Sequence, residues 1–438
     1  MTNQDASLAK RDQELIWHPF TQMKTSGMHV PLVRAAGALL YDEDGNEFID
    51  AIGSWWVNLH GHAHPHLAAS IASQAQTLPH VMFAGFTHEP AIQLCERLQR
   101  WLPNQLKRFF FSDNGSTATE IALKMAIQFR VHQDGPRTEP LKVIALEGSY
   151  HGDTFGAMSV GERDVFVKPF LPYLFDVITI PAPTPGNESK SQRALERAIE
   201  KHDVAAFIFE PLIQAAFGMQ MHEPEALDRL LGRCRDAGVL TIADEVMTGF
   251  FKTGTCFASH QLKTPVDFIC LSKALTSGTL PLALTVTTER VFNAFYDDDK
   301  SKAFFHGHSY TGNPLGCVAA IASLDLIESG GFKPNLRRIT EFLEAQAQSY
   351  RKQNRGENAR FSSIRQKGIV LALELNVPDK VGYLSDFGPR FFRAALKHGV
   401  LLRPLGEVIY VVPPICISND QLERVFQVID HLLDSSSV

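Results

Sequence analysis

The sequence has no uninterrupted apolar run approaching the roughly 18 residues a membrane-spanning helix needs, so no membrane partner is expected. Cysteine is scarce: the six, at 95, 234, 256, 270, 317 and 416, include no close pair, which fits reduced thiols in a cytoplasm and no disulfide framework. Positive charge is in deficit, with 42 Lys and Arg against 48 Asp and Glu and a net charge of −6, so no basic stripe exists to hold a nucleic acid. Tyrosine is rare beside phenylalanine, 8 against 30, so aromatic bulk is used mainly dry. Met1 to Glu14 is polar without an apolar centre, and no signal peptide is expected. There is no internal repeat and no low-complexity segment beyond Ser435 to Ser437. What remains is a chain of 438 residues, 45% apolar and 21% charged. That is the composition of a soluble globular protein, and the length exceeds one ordinary core, so two or three domains are expected.

Read in order, the chain starts with a helix, then two extended runs from Val33 to Asp50 around the turn Asp44-Gly45. Ile16 to Met23 is too irregular for a regular element. From about 61 to 314, helical and strand patterns alternate, the signature of an α/β fold with a mostly parallel sheet. Helices are expected over Leu67–Thr77, Pro90–Leu102 and Pro224–Ala237, and strands over Arg108–Ser112, Val143–Leu146, Val204–Glu210, Val239–Asp244 and Leu282–Thr287. Pro181 to Ser191 reads as a surface loop and His306 to Pro314 as an irregular polar stretch. Leu315 to Ser329, stopped by Gly330-Gly331, reads as a connecting helix (315–330), and 331–438 as a compact α+β domain.

Two strand ends carry the chemistry. Phe268 to Leu271 is long enough for a buried strand and too short for a helix, and it ends on Ser272-Lys273. Upstream, Val239 to Asp244 ends on a carboxylate. Open α/β sheets place ligands at the C-terminal mouths of their strands. An amine and a neighbouring acid there are what pyridoxal phosphate needs: a lysine to bond its aldehyde and an acid to keep its pyridinium nitrogen protonated. Gly115, Ser116 and Thr117 fall at the start of a helix after Arg108–Ser112, where free amides and the positive dipole end make either a phosphate seat or an ordinary cap. Gly148-Ser-Tyr150-His151-Gly is a small turn able to lay a ring over a flat cofactor. Trp55 and Trp56, beside glycines, serve either as core or as a pocket wall. His60, His62, His64 and His66 alternate, but Gly61 and Pro65 spoil a strand and no cysteine or carboxylate cluster accompanies them; a turn feeding a helix is expected there, and no metal.

Together these segments resemble the class III aminotransferases of the pyridoxal-phosphate type I fold, across nearly the whole chain. Within that class, Trp17-His-Pro-Phe-Thr-Gln-Met23, Gly53-Ser-Trp-Trp56, Gly148 to Thr154, His306-Gly-His-Ser-Tyr-Thr-Gly-Asn-Pro314 and Leu402-Arg-Pro-Leu-Gly406 are similar to the branch working in biotin synthesis. The resemblance implies a large cofactor domain over 61–314, with 1–60 packing on the small C-terminal domain, and a homodimer. It implies amino transfer to 8-amino-7-oxononanoate, with S-adenosylmethionine or lysine as donor. Lys273 becomes the cofactor-bonding lysine and proton-moving base, and Asp244 the partner of the pyridinium nitrogen. Val246 and Tyr150 take the two ring faces, Gly115 and Ser116 the phosphate. His308 joins the cofactor contacts, and Ser309 reaches the phosphate of the partner subunit's cofactor. Phe20, Trp55, Tyr150, Lys273 and Gly307 line the substrate pocket, and Arg403 binds the acceptor's distant carboxylate. Three departures bear on the donor: Phe20 where many members have tyrosine, Lys252 where most have arginine, and the bulky Gln214-Ala-Ala-Phe-Gly218. A different ω-amino-acid aminotransferase or an aminomutase keeps the fold and changes the substrate. A non-catalytic module on the histidine run leaves Asp244 and Lys273 unexplained.

Overall fold

The computed structural model describes residues 7–135, 139–163, 165–356, 359–377 and 382–435. The expectations for Met1–Glu14 and Ser435–Ser437 rest in part on residues 1–6 and 436–437, outside the described set. A seven-stranded sheet forms the centre. Its spatial order is Leu106–Ser112, Ala283–Thr288, Phe268–Leu271, Leu240–Asp244, Val204–Phe209, Lys142–Leu146 and Ile178–Ile180. Every neighbouring pair from Phe268–Leu271 to Ile178–Ile180 is parallel, and only Ala283–Thr288 runs against its neighbours. The reason is in the composition. Val204–Phe209, Leu240–Asp244 and Phe268–Leu271 are buried at every residue, as strands covered on both faces must be. Helix Gly115–Asp134 covers one face through Ala118, Ile121, Ala122, Ala126 and Phe129, all fully buried. The fold is thus α/β with a mostly parallel central sheet, as the alternating pattern predicts.

The parallel register sets Asp244 opposite Cys270, so the aspartate and Lys273, three residues beyond Cys270, leave the sheet at the same edge. Elsewhere the sequence blurs. The hairpin region holds three strands, Leu32–Ala36, Leu39–Asp42 and Glu47–Asp50, because Gly37 (φ +57°) reverses the chain before Gly45 (φ +84°) does so again. Val400–Leu401 joins Glu47–Asp50 in parallel, tying the N-terminal strands to a segment near the other end of the chain. The expected loop to Ser191 is shorter, since helix Glu188–Lys201 has already begun. Helix Pro314–Glu328 meets Phe332–Gln353 at a 74° bend near Gly330-Gly331. No single helix among the described residues is long and apolar enough to cross a membrane.

Two short stretches bring the N-terminal segment to the sheet's edge. Gly53, Ser54, Trp55 and Trp56 form one left-handed turn, with φ of +55°, +45°, +68° and +71°. Such a run is costly for residues with a Cβ and persists only where the surroundings hold it. Asp50 is the holder: fully buried, it accepts from Ser54 N at 3.0 Å and Ser54 Oγ at 2.8 Å, and pairs with His62 Nε2 at 2.8 Å. The other histidines of the run part company. His60 Nε2 lies 3.0 Å from Ser323 O, His64 caps helix Pro65–Thr77, and His66 pairs with Asp325 at 2.8 Å. Each has a structural partner of its own.

Removing the Asp50 carboxylate strands its buried donors and releases the strained turn. Asp50→Ala is expected to destabilise by about 2–4 kcal/mol, read as a lowered unfolding midpoint, whereas Glu43→Ala on the exposed turn of the same hairpin stays within about 0.5 kcal/mol.

Candidate active site

Beyond the C-terminal mouths of the strands lies a cavity of about 410 Å³, whose walls include Gly115, Ser116, Tyr150, Glu210, Asp244, Val246 and Lys273. Chain segments far apart in sequence meet there because each leaves a parallel strand at the same edge of the sheet. Lys273 starts a short 3₁₀ turn, Lys273–Thr276, with φ +48°. A lysine in the left-handed region is uncommon, and such strain gathers at working sites. Its ammonium stands 5.0 Å from the centre of the Trp56 ring. Burial pulls the Lys273 pKa below the ordinary lysine range, while the charges of Asp244 and Glu210 oppose the shift. A lysine so desolvated keeps more of its neutral, nucleophilic form.

Asp244 is 5% exposed and fixed on both oxygens: Oδ1 accepts from Val246 N at 3.0 Å, and Oδ2 lies 2.7 Å from His151 Nδ1. The second ring nitrogen of His151 is buried without a protein partner among the described residues. Glu210 receives Tyr150 N at 3.1 Å and Ala215 N at 2.9 Å. Burial pushes its carboxyl up to about 7, His151 resisting and Asp244 adding to the rise. Tyr150 donates its hydroxyl to Asp153 Oδ2 at 3.0 Å. Burial raises its phenol pKa further, so the ring stays neutral.

Glycine shapes the anion end. Helix Gly115–Asp134 is capped by Asn114, whose side chain accepts from Thr117 N at 3.0 Å. A Cβ on Gly115 would stand 2.6 Å from Val246 Cγ1, so glycine alone lets Val246 reach beneath the first turn. A Cβ on Gly152 (φ +127°) would strike the Ser116 backbone at 2.7 Å. The cavity therefore offers an amine at one strand mouth, a buried carboxylate at the next, an aliphatic floor and a helix N-terminus suited to a phosphate. These residues fit pyridoxal phosphate by charge, hydrogen bonding and space.

The remaining predicted residues form a second group. The Trp55 ring carries Arg403 on one side, its guanidinium carbon 4.4 Å from the ring centre, and Phe20 edge-on at 5.5 Å. Arg403 donates to the Tyr383 hydroxyl at 3.2 Å, and Phe166 packs on both Tyr383 and Phe20. The two tryptophans thus connect this aromatic wall to Lys273. Gly307 and Ser309 are exposed, and His308 is half-buried, 3.8 Å from Asp113; none of the three lines the cavity. Lys252 is 2% exposed, with its ammonium unpaired among the described residues and outside the cavity wall. Burial, with a smaller push from the Lys273 charge, brings its pKa down to about 7. Gln214 donates to Glu147 O at 2.8 Å, and the Phe217 ring covers Gly148 so closely that a Cβ there would meet it at 2.4 Å. Sequence reasoning gave no role to Glu210 or Tyr383, and for His151 it suggested a ring laid over the cofactor rather than its contact with Asp244. Glu210 ends a fully buried strand just as Asp244 does, and the same rule finds it. The Tyr383–Arg403 contact leaves no local trace.

The aminotransferase class-III family matches residues 21–433. A protein of Synechococcus elongatus named adenosylmethionine-8-amino-7-oxononanoate aminotransferase is 46% identical over 427 residues, 96% of this chain and 98% of its own. A protein of the same name from Helicobacter pylori is 35% identical over 438 residues, covering 99% of both. Among solved structures, the aminotransferase of that name from Methanocaldococcus jannaschii superposes with a TM-score of 0.89 at 33% identity, covering 97% of this chain and 98% of the other. An omega-transaminase from Thermomicrobium roseum gives 0.89 at 26% identity, covering 97% of each.

The Glu210 shift has a measurable sign. Its folded pKa lies above the unfolded value of 4.5, so the stability it contributes is complete below about 4.5 and is lost as pH rises through about 7. Relative to Glu210→Gln, the wild-type protein without cofactor is expected to lose up to about 3 kcal/mol between roughly pH 5 and pH 8, read as diverging unfolding midpoints.

Proposed function

The chain belongs to the class III aminotransferases, and on that premise we propose that it transfers an amino group to 8-amino-7-oxononanoate, giving 7,8-diaminononanoate in biotin synthesis. The observation that carries the reading is the placement of Arg403 on Trp55, with Trp56 beside Lys273. A fixed cation at the far end of an aromatic wall, remote from the reacting amine, suits a long apolar acid. Relatives bearing the name of this reaction match the chain over nearly its full length. Members of the family use pyridoxal phosphate, and a Pseudomonas amine transaminase similar to this chain was solved with it bound.

When bound, pyridoxal phosphate supplies an aldehyde to take up the amino group and a ring to hold the electron pair released at the substrate's Cα. The chain's residues do the rest. Asp244, fixed by Val246 N and His151, keeps a negative charge where the ring nitrogen's proton must stay. Gly115 and Ser116 seat the phosphate at the helix N-terminus, while Val246 and Tyr150 enclose the ring. Lys273 would hold the cofactor through its amine between turnovers and, once free, would be the base that takes and passes on the proton of the substrate's Cα. Its lowered pKa favours the neutral amine that this task needs. Trp55 and Phe20 bound the acceptor, and the Arg403 fork takes its carboxylate.

Two further readings accompany this one. Ser309 and Gly307, exposed and away from this chain's own cavity wall, serve the partner subunit's site in a homodimer, with His308 bracing their loop. The cytoplasm is the compartment, where the six unpaired cysteines stay reduced. S-adenosylmethionine is the donor: its adenine packs on an apolar ring such as Phe20 as well as a lysine stem would. Without a tyrosine hydroxyl there, discrimination between the two is weak.

Losing a charge-assisted bond to a carboxylate costs about 1.5–3 kcal/mol. Arg403→Ala is therefore expected to raise the acceptor KM roughly ten- to a hundredfold and to leave the donor half-reaction nearly unchanged; equal damage to both half-reactions places Arg403 elsewhere. For the donor, single-turnover bleaching of the yellow enzyme is expected with S-adenosylmethionine. Bleaching by lysine alone at matched concentration reverses that choice and leaves the acceptor untouched.

A further inference from the structure

The expected histidine run scatters, yet three ligating side chains converge elsewhere. Asp12 sits in the last turn of helix Leu8–Leu15, His18 follows it, and His29 returns from seventeen residues downstream. His18 Nε2 lies 3.0 and 2.9 Å from the two Asp12 oxygens, and His29 Nδ1 lies 3.1 Å from Oδ2. The imidazoles stack with centroids 3.8 Å apart. Each side chain keeps between 21% and 29% of its surface, so one side of the group stays open to solvent. Among the described residues, these are the only three His, Cys, Asp or Glu side chains whose ligand atoms gather within 4.8 Å of one another.

We propose that Asp12, His18 and His29 bind one divalent transition-metal ion of the Zn²⁺ type, which clamps the N-terminal segment. Two imidazole nitrogens and one carboxylate oxygen are the donor set such ions take, with a fourth position left for water on the open side. Bonds of about 2.0–2.2 Å to a tetrahedral ion set its ligand atoms ~3.3 Å apart, a few tenths of an ångström beyond the present nitrogen–oxygen spacings. On binding, each imidazole carries its hydrogen on its other ring nitrogen, and the ion takes the place of the hydrogens now shared with the carboxylate. Its position gives it a consequence. Residues 12 to 29 enclose Phe20, which holds φ +51° with its ring against Trp55. Closing this loop through a metal fixes the segment that carries one wall of the acceptor pocket. The metal site itself is independent of the reaction proposed above.

The test uses the full-length protein, stripped with chelator and then titrated with Zn²⁺ by calorimetry and with Co²⁺ in visible absorption. One ion per chain is expected, with the intense Co²⁺ bands of four-coordination. His29→Ala and Asp12→Asn are each expected to weaken Zn²⁺ binding by more than roughly 100-fold, beyond what loss of an outer-shell partner causes. His29→Gln keeps a hydrogen-bond donor for Asp12 but supplies a poor ligand, so loss of metal from that folded variant separates ligation from a fault in folding. Absence of stoichiometric Zn²⁺ in the wild-type protein, or equal uptake by the variants, overturns the proposal and leaves a hydrogen-bonded cluster in its place.

Discussion

The buried carboxylate of Asp244 governs this molecule. A charge at 5% exposure is costly unless it is fully bonded, and here a backbone amide and an imidazole take its two oxygens. That requirement places His151 in the turn after Lys142–Leu146, beside Glu210, whose proton burial holds more tightly against the pull of His151 and with a smaller push from Asp244. It also fixes the electrostatics around Lys273, whose amine is drawn toward neutrality by burial and back toward charge by the two acids. Acid, amine and anion seat are held by different strand ends of one sheet. The site is as rigid as the sheet.

The second constraint is backbone strain. Lys273, Ser54, Trp55 and Trp56 all occupy the left-handed region. They form two facing turns, joined where the Lys273 ammonium meets the Trp56 ring. Asp50 holds one turn. The other is held by Ser272, whose hydroxyl donates to Leu282 O at 2.9 Å. Both lie where the N-terminal segment meets the central sheet, so stability there is spent on presenting side chains rather than on packing alone.

Most of the sheet was legible in the sequence, because parallel strands covered on both faces read as short apolar runs with helices between them. Asp244 and Lys273 were legible for the same reason: each is the first charged residue at the end of such a run. The three-residue strand Ile178–Ile180 and the extra reversal at Gly37 were not, since neither leaves a periodic signal. The aromatic wall was half legible. Trp55 and Arg403 stood out through resemblance, whereas Tyr383 and Phe166 reach Arg403 and Phe20 only through tertiary packing. The histidines of the 60–66 run, read as a turn feeding a helix, each take a structural partner of their own, while His18 and His29, apart in sequence, stack on each other.

Lys252 makes the decisive measurement a sharp one. It is buried, unpaired among the described residues, and brought to about 7, so by ionisation alone it rivals Lys273 as the residue that bonds the cofactor. Geometry separates them: Lys273 stands in the cavity wall beside Asp244, and Lys252 does not. Borohydride reduction of the purified protein followed by peptide mapping decides between them. The account requires the pyridoxyl group on the peptide containing Lys273 and nowhere else. Label on Lys252, or on any other lysine, contradicts it.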